Sequence, residues 1–511
     1  MSKPSARANR EQIKALRKER KQAHKELRRR QRAEGLGGHP RASIANRVCE
    51  YKSVQEEKAA RLEAVTEQMR VFRAQLPVLL RRLEGVPDPR DPKKTKHKLT
   101  VMMIYGILTF VFHMASRRQA NRELTRPVFM ENLRQVFPEL EDFPHHDTLK
   151  RLLSQMDVKQ IEQAHIDLIR SLMRKKKFSR YLIGKCYPIA VDGTEKFSRY
   201  HLWAEQCLEH RVRDGDGHRM RYYVYALEAN LAFHNGMVIP LLTEFLSYTQ
   251  GDQLSNRQDC ELKAFKRLAK RLKAYFPCLP IMVLLDGLYP NGPIMALCRK
   301  YKWEFMIVLQ NGSLPSVWEE VYGLKELEKG NKLFHKWGNR RQDFFWVNEI
   351  EYGYRPVGGR REAKEIVHVV VCEESWEEVS KDSNEVVQKR SFHAWISSEP
   401  LNRRNVHERC NLGARHRWGI ENGILVEKHH GYGYEHCFSY DWNAMRGYHY
   451  LMRLGHAMNV LAQYSSALVK MVRQLSVQGF IRFVHQTLTG PWLDAQEVKQ
   501  RMSAAFQLRL L

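Results

Sequence analysis

Residues 187–194 read Tyr-Pro-Ile-Ala-Val-Asp-Gly-Thr, and residues 280–287 read Pro-Ile-Met-Val-Leu-Leu-Asp-Gly. Each is a short apolar run that enters an Asp-Gly pair, at Asp192 and at Asp286. Runs of this length and composition read as buried strands closed by a turn. Tyr222–Phe233 and Gly236–Phe245 are also strand-like, joined through the tight-turn signal His234-Asn235-Gly236. A charged helical stretch (261–275), a second helix (293–301) and the strand-like run Glu304–Leu309 complete the pattern. A hairpin followed by strand–helix–strand specifies a mixed sheet covered by helices, an α/β fold.

Outward from this centre the texture changes. Residues 311–397 hold Trp318, Trp337, Trp346, Trp376 and Trp395, two β-rich stretches and Gly358-Gly359, and read as a mainly β insertion. From Val406 to the end the chain reads as helical. Before the sheet, Leu99 to about Phe178 is helical in period, ending in Arg174-Lys-Lys-Lys177. The run Leu99–Met114 is short for a membrane span and reads as a buried helix. The Pro-rich stretch Val86–Pro92 breaks the chain, and the basic cluster 93–98 follows it. Residues 52–85 carry a helical stripe of Leu62, Val65, Met69, Phe72, Leu76 and Leu80. The expected regions are a basic helical arm (1–90), a helical DNA-binding or assembly region (91–180), a core in two parts (181–310 and 398–470) split by the insertion (311–397), and a helical end (471–511).

The 511 residues carry 85 Lys and Arg against 57 Asp and Glu, a formal charge of +28. Such an excess points to a polyanionic partner, commonly nucleic acid. Residues 1–34 hold 13 of the cations and only 4 acids, so this segment reads as a solvated helix or a disordered arm that grips phosphates, with Arg28, Arg29 and Arg30 among its candidates for DNA contact. Lys175, Lys176 and Lys177 are further candidates for DNA contact. Nine scattered cysteines without a C-x-x-C pair fit a reducing compartment. The first residues lack an apolar signal region, so a soluble, cytoplasmic protein is expected, with no membrane partner.

Asp192 and Asp286, at the carboxyl ends of sheet strands, would sit on a rim where ligands bind. The glycine after each leaves room for a bulky substrate. An Asp-Gly pair alone is equally an ordinary turn. Two such acids on neighbouring strands suit Mg²⁺ or Mn²⁺. A third acid, Glu421, lies in Arg415-His-Arg-Trp-Gly-Ile-Glu-Asn-Gly-Ile-Leu-Val-Glu-Lys428, where helical spacing puts Arg417, Glu421 and Lys428 on one stripe. A carboxylate between a guanidinium and an ammonium suits metal-dependent phosphoryl transfer. Trp418, Ile420, Ile424 and Leu425 suggest that this helix is partly packed. Of the remaining groups, His429, His430 and His436 lack zinc-site spacing, Asp259 reads as a helix cap and Cys260 as a buried thiol.

Asp192-Gly-Thr194, Asp286-Gly-Leu-Tyr289 and the spacing R-x₃-E-x₆-K at Arg417, Glu421 and Lys428 together resemble the DDE transposases of bacterial insertion sequences. They are most similar to the branch with a β-rich insertion before the catalytic Glu. Pro87-Asp-Pro-Arg90, Ser116-Arg-Arg-Gln-Ala-Asn121, Gln258-Asp-Cys-Glu261 and Gly431-Tyr-Gly-Tyr-Glu-His436 extend the resemblance over roughly residues 86–470. One departure is Ala414, where the family's fullest signature has Tyr. The resemblance implies an RNase H-like fold in which Asp192, Asp286 and Glu421 bind two divalent metals. It implies strand cleavage and strand transfer, with Arg417 and Lys428 orienting phosphates and Thr194 and Tyr289 as further DNA contacts. It also offers Trp318, Trp337, Trp346 and Trp376 as candidates to stack on a flipped base. The expected partners are double-stranded DNA, as terminal repeats and target, and a second copy of the chain in the DNA complex. A catalytically inactive DNA-binding repressor and a nuclease without strand transfer are the alternatives.

Overall fold

The computed structural model describes residues 6–37, 48–138, 140, 142–215, 217–251, 258–356, 361–380 and 382–511. Gly358-Gly359 and the first five residues of the basic segment lie outside them. Seven helices come first: α1 (Ala6–Ala33), α2 (Val54–Glu84), α3 (Leu99–Val111), α4 (Arg117–Leu124), α5 (Pro127–Val136), α6 (His146–Gln155) and α7 (Lys159–Arg174). Strands β1 (Tyr187–Arg199), β2 (Leu208–Asp214), β3 (Gly217–Ala232) and β4 (Val238–Phe245) lead to α8 (Glu261–Tyr275) and β5 (Ile281–Leu285). Next come α9 (Gly292–Lys300), β6 (Glu304–Val308), α10 (Pro315–Lys325), β7 (Lys332–Trp337), β8 (Arg340–Tyr354), β9 (Ala363–Val379) and β10 (Val386–Ser397). The chain closes with α11 (Trp418–His429), α12 (Trp442–Gln463), α13 (Val469–Leu475), α14 (Val477–Leu488) and α15 (Ala495–Ser503). The mixed α/β class read from the strand pattern is the one observed.

Two compact units divide the chain: Ile44–Leu284 with Arg415–Leu511, and Met1–Ser43 with Leu285–Ala414. The expected arm, 1–90, is thereby shared between the two, and the β-rich stretch 311–397 falls wholly in the second.

In the first unit β1 is the pivot. It pairs antiparallel with β3 from Ile189–Leu231 to Arg199–Tyr222, and parallel with β5 from Tyr187–Ile281 to Ala190–Leu284. The other edge of β3 takes β2 along its first half and β4 along its second. Helix α12 covers this sheet at β4 and packs on α3, α6 and α7. The α3–α12 crossing is close because glycines face it: a Cβ on Gly106 would lie 2.7 Å from Leu451, and one on Gly455 would lie 3.0 Å from Phe110 and 3.2 Å from the Ile107 carbonyl. Helix α3 is buried almost throughout, as the sequence indicated. Among the described residues no helix is long and apolar enough to cross a membrane. The apolar stripe of α2 runs as expected to Leu76, then continues through Leu79 and Leu83 instead of Leu80, the shift falling at Pro77 inside the helix.

In the second unit β10, β9, β8 and β7 form an antiparallel meander, and β10 also pairs with β6. Trp346 and Trp395 are core residues, while Trp318 lies on α10, its indole N–H donating to the Gln310 carbonyl (3.2 Å). The described part of the basic segment is a helix that is not solvated all round. It forms α1, which packs on β9 through buried Leu27, with Leu36 just beyond the helix also buried. Arg30 pairs with Glu377 (2.8 Å), and Arg20 Nε donates to Asn384 Oδ1 (2.7 Å). Two apolar side chains and a few specific bonds dock a helix whose outer side stays cationic.

Candidate active site

Asp192 does not end its strand: β1 continues through it to Arg199, still paired with β3. The parallel pairing with β5, however, stops at Ala190–Leu284. Asp192 therefore lies just beyond the parallel pair, half-buried, with Oδ1 accepting from the Gly193 N–H (3.1 Å). Gly193 makes room for protein, not for substrate. A Cβ there would collide with Glu261 and lie 2.7 Å from the Tyr225 hydroxyl, and these two side chains bond to each other. Burial pushes the Tyr225 hydroxyl far up, with Glu261 and then Asp192 adding to it.

A short 3-10 turn, Ala414–Arg417, leads into α11, so Arg417 stands at the helix entrance and not within it. The expected i, i+4 pair still forms, with Arg417 Nη2 donating to Glu421 Oε1 at 2.7 Å. The Arg417 side chain is only 6 % exposed against 32 % for Glu421, and its Nε and Nη1 are buried without a partner among the described residues. Its guanidinium lies 4.8 Å from the centre of the Trp418 ring. Helix α11 rests against β1, β3 and β4. Gly419 and Gly423 permit this: Cβ atoms there would lie 3.0 and 3.3 Å from the Val238 side chain. The packing expected of four apolar residues falls to Ile420 and Ile424, whereas Trp418 and Leu425 are exposed. Lys428 bonds to Glu435 (3.1 Å), brought back by the turn at Gly431 and Gly433, both at positive φ.

Behind α11 lies a fully buried charged network that the sequence reading missed. Glu228, opposite Asp192 in register, meets Arg453 (3.2 Å) and His449 (3.2 Å) and accepts from the Tyr434 hydroxyl (2.8 Å). Burial alone would raise the Glu228 carboxyl, but Arg453 and His449 outweigh it and hold it at about 2. Burial lowers the Lys196 ammonium to about 8, against the pull of Glu228 and Glu427.

Thr194 is half-buried on β1. In the other unit, Asp286 follows β5 and accepts from the Leu288 N–H (2.9 Å), and Tyr289 is fully buried, presenting no surface to a ligand. Lys175 and Lys176 are exposed after α7, whereas Lys177 donates to the Leu508 carbonyl (2.6 Å). Arg28 and Arg29 are exposed on α1 beside the paired Arg30. Asp259 does not cap α8: Cys260 holds the cap position, while Asp259 pairs with Arg267 (2.6 Å) and accepts from the Ser247 N–H. Cys260 is exposed, not a buried thiol. The one group of three metal-capable side chains with ligand atoms within 4.8 Å of one another, among the described residues, is His145, His146 and Asp147. Arg117 stands 3.4 Å from that Asp147 carboxylate and opposes a cation there.

No curated protein matches the chain. Residues 80–169, from the end of α2 into α7, match the family model described as DDE_Tnp_1-associated, a domain that belongs to DDE transposase families.

Proposed function

We propose that the chain is a DNA transposase of the DDE type, which cleaves strands at the ends of a mobile element and joins them to target DNA. The observation that carries this reading is the Arg417–Glu421 pair. A nearly buried guanidinium keeps two donors without a partner among the described residues while its third nitrogen holds a half-exposed carboxylate. Such an arrangement suits a phosphodiester lying beside a carboxylate-bound cation. The strand order β4–β3–β1–β5, with β1 between an antiparallel and a parallel neighbour, supports the RNase H-like reading, with 311–397 as its insertion. The transposase-associated segment 80–169 supports it independently.

In this reading Asp192, Asp286 and Glu421 would hold two Mg²⁺ or Mn²⁺ ions, for which carboxylate oxygens are fitting ligands. When bound, such ions supply nucleophile activation and stabilise charge on the leaving oxygen. Arg417 holds non-bridging phosphate oxygens through Nε and Nη1, and Lys428 exchanges Glu435 for a neighbouring phosphate. In cleavage, a water oxygen attacks phosphorus and the bond from phosphorus to the bridging 3′ oxygen breaks. The products are a 3′-hydroxyl and a 5′-phosphate: of the two water protons, one ends on the departing 3′ oxygen and the other goes to solvent as the new phosphate ionises. In joining, that 3′-hydroxyl attacks a target phosphorus, and a target 3′-hydroxyl leaves. Exposed Arg28, Arg29, Lys175 and Lys176 grip backbone phosphates without reading bases. Joining two element ends calls for two copies of the chain on double-stranded DNA, in the cytoplasm.

The test uses purified protein, a donor carrying the cognate inverted repeats, and Mg²⁺. Glu421→Gln is expected to bind the donor as wild type does and to lose 3′-end cleavage. Equal cleavage by the two proteins would refute the mechanism. Cleavage without joining by the wild type would leave a nuclease.

A further inference from the structure

We infer that a buried clamp between α11 and α12 sets the roll of α11, and with it the direction of Glu421, so that Glu427, Arg453 and Tyr434 are positioning residues for the reaction. The inference rests on Glu421 being a catalytic acid, as proposed above.

Glu427 lies on α11 and is completely buried. Its two oxygens accept from Arg453 Nη1 (3.3 and 3.2 Å), and its Oε1 also meets His456 Nδ1 (2.7 Å). The other terminal nitrogen of Arg453 reaches the Ala229 carbonyl (3.4 Å), Asn230 Oδ1 and Glu228 (3.2 Å). One guanidinium thus ties α12 to α11 and to β3, at the residue of β3 paired with Asp192. Tyr434 adds a second tie. Its N–H donates to the Glu427 carbonyl (3.1 Å) and its hydroxyl to Glu228 (2.8 Å), while its carbonyl accepts from Lys196 Nζ (2.7 Å). Lys196 belongs to β1, the strand that carries Asp192. The second tyrosine of Gly431-Tyr-Gly-Tyr-Glu-His436 thereby fastens the end of the acid-bearing helix to both strands.

Ile420 and Ile424 pack the apolar side of α11, but apolar contact fixes no direction as a hydrogen bond does, and at Gly419 and Gly423 the helix meets Val238 with a flat face. The clamp adds the directional bonds. Glu421 stands about 120° round the helix from Glu427. A roll of roughly 20° would carry a carboxylate ~5–6 Å from the axis through about 2 Å. Metal coordination tolerates only about 0.2 Å. Buried ion pairs are frequently replaceable by apolar side chains without loss of stability, so this one serves geometry better than it serves the fold.

Both variants keep the side-chain shape: Glu427→Gln removes the charge and one acceptor facing Arg453, and Tyr434→Phe removes the single bond to Glu228. Each is expected to lower single-turnover cleavage in Mg²⁺ by about 100-fold, the scale of a 1 Å misplacement, with the Kd for donor DNA unchanged. Mn²⁺ should restore part of the rate, since Mg²⁺ demands the more regular geometry. Amide exchange should quicken across residues 418–428 and not along α12. Wild-type rates in both variants would overturn the clamp. So would a loss of rate that Mn²⁺ leaves untouched and that accompanies loss of the cooperative melt, because that is a purely structural role. If Glu421→Gln cleaves like the wild type, the catalytic reading fails. Exchange then decides the clamp alone, and unchanged exchange at 418–428 in Glu427→Gln refutes it.

Discussion

Arg417→Met should make the DNA-free protein more stable while removing its proposed activity. Arg417 is 6 % exposed, and its Nε and Nη1 have no partner among the described residues. Each buried donor left unsatisfied costs about 1–3 kcal/mol. Against that stand the bond to Glu421, whose side chain is 32 % exposed, and the contact with Trp418, a residue 60 % exposed. An ion pair with a solvated partner contributes at most about 1 kcal/mol, and an exposed cation–π contact about the same. Methionine fills the space of the stem and carries no donor to satisfy. The balance favours the variant by roughly 1–3 kcal/mol, the two donors outweighing the two contacts. Urea unfolding followed by tryptophan fluorescence, in chloride buffer without phosphate, measures it. Adding inorganic phosphate to about tenfold above its Kd should then stabilise the wild type by ~1.4 kcal/mol and leave the variant unmoved. A variant destabilised by more than about 1 kcal/mol would refute the expectation. Equal protection of both proteins by phosphate would refute it too, since the guanidinium would then be serving the fold and not an anion.

Two further outcomes test the first unit and its close helix crossing. Burial holds His113 and His165 at about 3, so both stay neutral in the folded state at pH values where the unfolded chain is protonated. Their contribution is fully present above about pH 6.5 and is lost as pH falls towards 3. Unfolding free energies from urea titrations at pH 7, 6 and 5 should therefore fall, approaching about 2.7 kcal/mol per pH unit for two protons; a flat profile would show that these rings are solvated. Gly455→Ala gains about 1 kcal/mol of helix propensity but meets backbone of α3, which no rotamer change relieves, so a net loss of about 1–2 kcal/mol is expected. Gly323→Ala on α10 meets nothing within 4 Å among the described residues and should gain nearly the full propensity. Equal shifts in urea midpoint for the two would contradict the close α3–α12 crossing.

What the sequence disclosed about the site is what local chemistry constrains. Arg417 and Glu421 are four residues apart on a helical pattern, and no distant residue is needed for them to meet. Buried strands ahead of Asp192 and Asp286 follow from composition alone. The register did not: β1 outruns β5 because β3 keeps pairing to Arg199, a property of the neighbour and not of the Asp-Gly dipeptide. Lys428 has the spacing to share a stripe with Glu421, yet Gly431 and Gly433 turn the chain so that Glu435 claims it. The charged network was hidden for a related reason. Glu228 and Tyr434 are 206 positions apart, and neither carries a local signal of the other. A trace was present nonetheless: His449, Arg453 and His456 recur at helical spacing along α12, a helix otherwise buried and largely apolar. A polar stripe inside an apolar helix has to find partners, because unpaired buried charge costs several kcal/mol. Since Glu427 is the acid on α11 that supplies one partner, the direction of Glu421 is decided by a helix that begins beyond it in the chain. The residues of the proposed site are therefore legible as a motif, while the residues proposed to aim them emerge only from the packing.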